Sequence, residues 1–213
     1  MIGDKINIKD DYLITATEIF HYLNDQLKHA KKFVIGIGGE SGSGKSVTAL
    51  CLQKVLDHEG FKTQIIHQDD YFIYPPKTNH EKRVADFNHI GFQEIDFFLL
   101  RKNIVDFKQN KPQITKPLVD YPANTIGSET LDFSNVEILI IEGTYILALD
   151  NLDVTIFIDR NYKDTYQQRK NRGREEMDAF IEKVLEKEHQ LIYPFHLQSD
   201  IIITKDYSVI TNK

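Results

Sequence analysis

The sequence predicts an α/β fold: a doubly wound parallel sheet with helices on both faces. Three observations carry this expectation. Two short apolar runs rich in β-branched residues, at 33–37 (Phe33, Val34, Ile35, Gly36, Ile37) and 136–141 (Val136, Glu137, Ile138, Leu139, Ile140, Ile141), read as strands buried on both faces. A glycine-rich segment follows the first run directly and opens into helical periodicity. Strand-like and helix-like stretches then alternate to the end of the chain, as a parallel sheet with crossover helices requires. At 213 residues the chain is long enough for one domain, 1–213.

Composition narrows the function classes. A formal charge of −6 argues against a broad nucleic-acid footprint, which needs a basic face, so no nucleic-acid partner is expected. Cys51 is the only cysteine, which excludes an intramolecular disulfide and suggests a reducing compartment. Its place on an apolar stripe predicts a packed thiol rather than a reactive one. The first residues lack a basic stretch followed by an apolar one, so no secretory signal is expected. No apolar run approaches the roughly 18 residues that span a bilayer. The expectation is a cytoplasmic protein without membrane contact. The eight histidines show no metal-ligand spacing, and none is read as a zinc ligand.

In chain order, residues 11–29 place Leu13, Ala16, Phe20, Leu23 and Leu27 on one helical face, with Asp10 or Asp11 as cap. This N-terminal segment, 1–32, is expected to pack on the sheet and is assigned no chemistry. After the strand at 33–37 come Gly39, Glu40, Ser41, Gly42, Ser43, Gly44, Lys45 and Ser46, which spell G-x-x-x-x-G-K-S, the phosphate-binding loop. Val47, Leu50, Cys51, Lys54 and Val55 continue at helical spacing, and Gly60 suits the position just past the helix end. Glycines let backbone N–H groups converge on an anion, and the helix start adds its positive dipole end. A glycine-rich turn that binds nothing is the competing reading, but strand, loop and helix stand in the order the motif needs. Residues 39–47 are therefore expected to hold a nucleoside triphosphate, with Lys45 on the β- and γ-phosphates and the Ser46 hydroxyl on Mg²⁺.

A second strand at 62–67 runs into Gln68, Asp69, Asp70, Tyr71 and Phe72. Carboxylates just beyond a strand's C-terminal end sit where open α/β sheets bind ligands, although either aspartate could simply cap a turn. Residues 73–92 are polar and read as a long mobile loop. Helical spacing at 94–107 turns Ile95, Phe98, Leu99 and Val105 inward. Extended pieces at 114–121 and 130–133, around a turn at 126–128, suggest a small β-ribbon insertion at about 111–134. The strand at 136–141 ends in Glu142 and Gly143, and an acid there suggests a Mg²⁺ shell or a water orienter, with helix capping as the alternative. A strand at 154–159, helices at 162–170 and 175–191 and a final strand at 200–204 complete the pattern. Arg169, Lys170, Arg172 and Arg174 surround Gly173. They form either a solvated helix face or an arginine-bearing lid at about 169–176.

Asn110-Lys111-Pro112-Gln113 lacks the aspartate that guanine recognition needs, and no coupling motif of a motor ATPase is visible. A small-molecule kinase remains. The chain resembles the uridine kinase and phosphoribulokinase-like group of P-loop NTPase folds, which also includes nicotinamide riboside kinases. The resemblance runs over residues 33–204 through the loop at 39–46, Gln68-Asp69-Asp70-Tyr71-Phe72, Ile140-Ile141-Glu142-Gly143, Arg172-Gly173-Arg174, Ile192-Tyr193-Pro194 and Asp200-Ile201-Ile202-Ile203. It implies ATP with Mg²⁺ as donor and a small-molecule hydroxyl as acceptor. It also implies Asp69 as the base facing that hydroxyl, Glu142 as the acid after the fourth strand, and Arg169 and Arg174 as lid arginines. The acceptor would lie against Asp69, Tyr71, Asp120, Tyr121 and Asn124. Departures fall in this acceptor region: Val119 stands for a base-stacking tyrosine, Asn124 for a histidine and Ile126 for an arginine. Uridine is therefore not the expected acceptor. Two alternatives stay open, a nucleoside kinase proper and a catalytically silent nucleotide-binding regulator, and homo-oligomerisation is left open.

Overall fold

A computed structural model describes residues 8–172 and 178–212. In chain order the elements are α1 (Asp10–His29), β1 (Phe33–Gly39), α2 (Lys45–His58), β2 (Thr63–His67), α3 (Pro76–Ala85), α4 (Phe97–Lys108), β3 (Gln113–Asp120), β4 (Thr125–Asp132), β5 (Ile138–Gly143), β6 (Val154–Ile158), α5 (Tyr166–Arg172), α6 (Ala179–Ile192), β7 (Ile201–Ile203) and β8 (Val209–Thr211), with short 3₁₀ turns between several of them.

The main sheet runs β2-β5-β1-β6-β7-β8 and is parallel except for β8, which closes the edge antiparallel to β7. The two apolar runs of the sequence become adjacent parallel strands inside it, with Phe33 opposite Ile138 and Ile37 opposite Glu142. Alternation along the strands feeds two cores. Ile35, Ile37, Ile138 and Ile140 pack under α1 and α2, with Phe20, Leu23, Cys51 and Leu52. Val34, Leu139 and Ile141 pack with Leu100, Ile104 and Phe107 of α4 on the opposite face. Both faces of the sheet are thus covered.

Several local expectations change. Lys9, not Asp10 or Asp11, is the N-cap of α1 and makes no side-chain cap bond; the two aspartates occupy the first turn, where the helix dipole favours negative charge. Helix α2 buries Thr48, Ala49, Cys51, Leu52 and Leu56; of the expected stripe Cys51 is in the core and Val47 and Val55 pack against it half-buried, while Lys54 is exposed. Residues 73–92 are not a long loop, since α3 occupies half of them. Pro76 at the first helical position favours that helix, but only Asn79 of it is buried, so it has no apolar periodicity to read.

Helix α4 begins at Phe97, with Asp96 accepting from the Leu99 amide, and this phase leaves Phe98 82% exposed while Leu100, Ile104 and Phe107 go inward. The ribbon of β3 and β4 forms its own sheet and turns at residues 121–124, so Ile126, Gly127 and Ser128 lie within β4 opposite Val119, Leu118 and Pro117. Asn124 makes this turn by adopting a left-handed φ of 53°. Strand β5 ends in Glu142 and Gly143 as expected, but starts at Ile138 rather than Val136.

Candidate active site

The phosphate-binding loop joins the end of β1 to the start of α2, whose N-cap, Gly44, makes no side-chain cap bond. The first amides of α2 are thereby left for an anion. Two glycines are required by their surroundings. Gly42 has φ 77°, and a Cβ there would lie 2.7 Å from Arg169 Cγ. Gly44 has φ 108°, and its Cβ would lie 2.8 Å from the Tyr12 hydroxyl. The loop is anchored from below through the buried Glu40, which accepts from the Tyr162 amide and pairs with His189 Nδ1 of α6, each at 2.5 Å. Lys45 Nζ donates to the Glu40 carbonyl at 2.9 Å.

Strand alternation turns Glu142 toward α2, where its Oε1 accepts from Ser46 Oγ at 3.1 Å. Sheet register places His67 beside it, with Nδ1 2.6 Å from the same oxygen. Burial alone would lower the His67 pKa, but the hydrogen bond and charge of Glu142 outweigh it and hold the imidazole above its ordinary value. Burial alone would raise Glu142, but His67, Lys45 and Ser46 keep it below the usual carboxylate range. The sequence reading missed His67; the signal was its place at the end of β2, level with Glu142 once the strands pair.

The two neighbouring aspartates separate. Asp70 is fully buried: Oδ2 lies 2.6 Å from Lys116 Nζ of β3, and Oδ1 accepts from the Val119 amide at 3.0 Å. Asp69 instead lines a cleft of about 820 Å³ together with Lys45, Ser46 and Glu142. The structure thus brings Asp69 and the loop residues into one space. Tyr121 also lines that cleft. Tyr71 does not: its ring is in the core and its hydroxyl accepts from Asn103. Asp120 accepts from the Ala123 amide inside the hairpin turn, and Asn124 Oδ1 accepts from the Lys77 amide at the start of α3. Neither lines the cleft.

Arg169 sits behind the loop rather than in the cleft, 3% exposed, with Nη2 donating to the Tyr162 carbonyl and 3.5 Å from Glu182. Arg174 lies outside the described residues, as do residues 173–176 of the expected lid.

The far wall of the cleft comes from α3 and α6. Arg83 of α3 bonds Glu94 through Nε and Nη2 and Glu188 of α6 through Nη2 at 3.1 Å. Among the described residues no helix is long and apolar enough to cross a membrane, and no three His, Cys, Asp or Glu side chains cluster as a metal site.

Comparison with known proteins gives the family and the fold. Residues 34–207 match the Phosphoribulokinase / Uridine kinase family. The bifunctional alpha-galactosidase/sucrose kinase AgaSK of Mediterraneibacter gnavus is 30% identical over 192 residues, 84% of this chain but only 20% of that protein, so the chain spans a fifth of that relative's length. The uridine kinase of Macrococcus caseolyticus is 32% identical over 186 residues, 85% of this chain and 87% of that one. In fold the chain is similar to the D-glycerate 3-kinase of Cryptococcus neoformans var. grubii, at a TM-score of 0.66 and 11% identity, covering 92% of this chain and 98% of that one. The chain belongs to the phosphoribulokinase / uridine kinase family of ATP-dependent kinases, which phosphorylate a hydroxyl of a small molecule.

Proposed function

We propose that this protein transfers the γ-phosphoryl group of ATP to a hydroxyl of a small molecule other than uridine, with Asp69 taking up the proton of that hydroxyl. The observation that carries the proposal is the divergence of the aspartate pair. Asp70 is consumed by Lys116, whereas Asp69 shares the cleft with Lys45, Ser46 and Glu142. A kinase asks little covalent chemistry of its protein; it positions the reactants and neutralises charge. The loop amides and Lys45 hold the donor phosphates. Ser46 Oγ and the Glu142 carboxylate are adjacent oxygen donors, a set that fits Mg²⁺. Bound there with the nucleotide, the ion would neutralise charge on the transferring group. Arg169 supports the loop behind Gly42, and Arg174 is the arginine we assign to the developing charge at the γ-phosphate.

Uridine is a poor fit because Val119 offers no ring or polar edge to the cleft and the Asn124 side chain is committed to α3. The sucrose kinase relative favours a carbohydrate acceptor, while the uridine kinase relatives favour a nucleoside. A specificity constant for uridine above about 10⁴ M⁻¹s⁻¹ would support the nucleoside reading. The decisive experiment for the base is Asp69→Asn, assayed by single turnover and by calorimetric titration with ATP. Turnover should fall by about 10²–10⁴, the usual contribution of a general base, while ATP affinity stays unchanged. A full single-turnover rate in that variant would overturn the assignment.

A further inference from the structure

The wall of the cleft made by α3 and α6 carries a charge cluster that phosphoryl transfer does not use. Its anchor is Glu94, wholly buried, which accepts from the Asn79 side chain at 2.8 Å, the Gly91 amide at 2.9 Å, the Tyr145 hydroxyl at 3.4 Å and both Nε and Nη2 of Arg83. Glu94 does not reach the cleft, but Arg83 and Glu188 do. The single guanidinium therefore already faces two carboxylates. Around it Glu81, Asp178 and Glu188 outnumber Lys77 and Arg83 among the described residues of this wall.

Such a wall repels an acid or a sugar phosphate, whose charge would need cations in excess. A hydroxyl group suits it, because one oxygen can accept from Arg83 and donate to Glu188 at the same time. Phe72, Tyr74 and Tyr121 line the same cleft and offer apolar surface to the C–H faces of such a molecule.

We propose that Arg83 and Glu188 form a hydroxyl-reading clamp and that the phosphoryl acceptor is an uncharged sugar or polyol. The proposal rests on the kinase reading above and adds the acceptor's chemical class. Glu94 and Asn79 are positioning residues that hold Arg83 in place.

The test measures ADP release from Mg²⁺ and ATP with three sets of compounds: sucrose, glucose, fructose and xylitol; glycerate, gluconate and ribulose 5-phosphate; and uridine. Release is expected with at least one uncharged sugar or polyol and with none of the anions. Release with an anion or with uridine alone overturns the acceptor class while leaving the kinase reading standing. Release with none of the three sets overturns both.

With the active sugar in hand, Glu188→Gln and Arg83→Lys should each raise its KM by about 10- to 100-fold, the loss expected for a hydrogen bond to a charged group. The KM for ATP should stay within about twofold, because neither side chain belongs to the loop. Equal rises in both KM values, or an unchanged sugar KM in both variants, would show that the pair only holds α3 to α6 and would overturn the clamp.

Discussion

The two ends of the cleft are built in opposite ways. The end we propose for the donor is a contiguous stretch, residues 39–47, set between a strand and a helix that are neighbours in the chain. Its shape follows from glycine conformations, the start of α2 and the ties of Glu40 to the Tyr162 amide and His189, while Tyr12 and Arg169 press on it. The proposed acceptor end has no such core sequence. It collects Asp69 from the turn after β2, Arg83 from α3, Tyr121 from the hairpin and Glu188 from α6. What orders it is a set of long-range polar ties: Lys116 to Asp70, Asn124 to Lys77 and Arg83 to Glu94 and Glu188. The two ends meet in α6, whose His189 holds Glu40 of the loop and whose Glu188 holds Arg83.

The largest expected effect tests the acceptor end. Lys116→Met leaves the buried Asp70 without its cation, and removing one partner of a buried pair typically costs about 3–5 kcal/mol. Denaturant unfolding should register this loss, while the folded fraction should still bind ATP through the loop. A loss below about 1 kcal/mol would mean that the hairpin is not held by this pair.

Next in size is the donor end. ATP with Mg²⁺ at about 100 times its dissociation constant should stabilise the protein by roughly 2.7 kcal/mol, and Lys45→Ala should remove most of that shift without changing the stability of the ligand-free protein. An undiminished thermal shift in Lys45→Ala would place the nucleotide elsewhere and dissolve the comparison.

The smallest effect sharpens it. Asn124 combines a left-handed turn with a cap on α3, supplied from 47 residues away. Asn124→Ala should cost about 0.5–2 kcal/mol, the usual range for a lost helix cap, and raise the acceptor KM more than the ATP KM. Equal changes in the two constants would show that the ends of the cleft are mechanically coupled after all.

What could be read from the chain alone follows this division. The apolar runs at 33–37 and 136–141 determined an adjacent parallel pair, and the G-x-x-x-x-G-K-S stretch determined the phosphate loop, because strand burial, glycine conformation and helix initiation are encoded in consecutive residues. The acid at 142 was legible as well, since strand periodicity fixes which face it takes. Residues 73–92 were not: α3 is polar on nearly every side, so its reason for being helical, a cap from Asn124 and an ion pair with α6, lies outside its own sequence. Nor could periodicity say which of Asp69 and Asp70 faces the cleft, because both follow the same strand in the same turn; only the family resemblance pointed to Asp69. That was decided only when β3 brought Lys116 and the Val119 amide against one of them, 46 and 49 residues downstream, and charge burial without such a partner is too costly to occur.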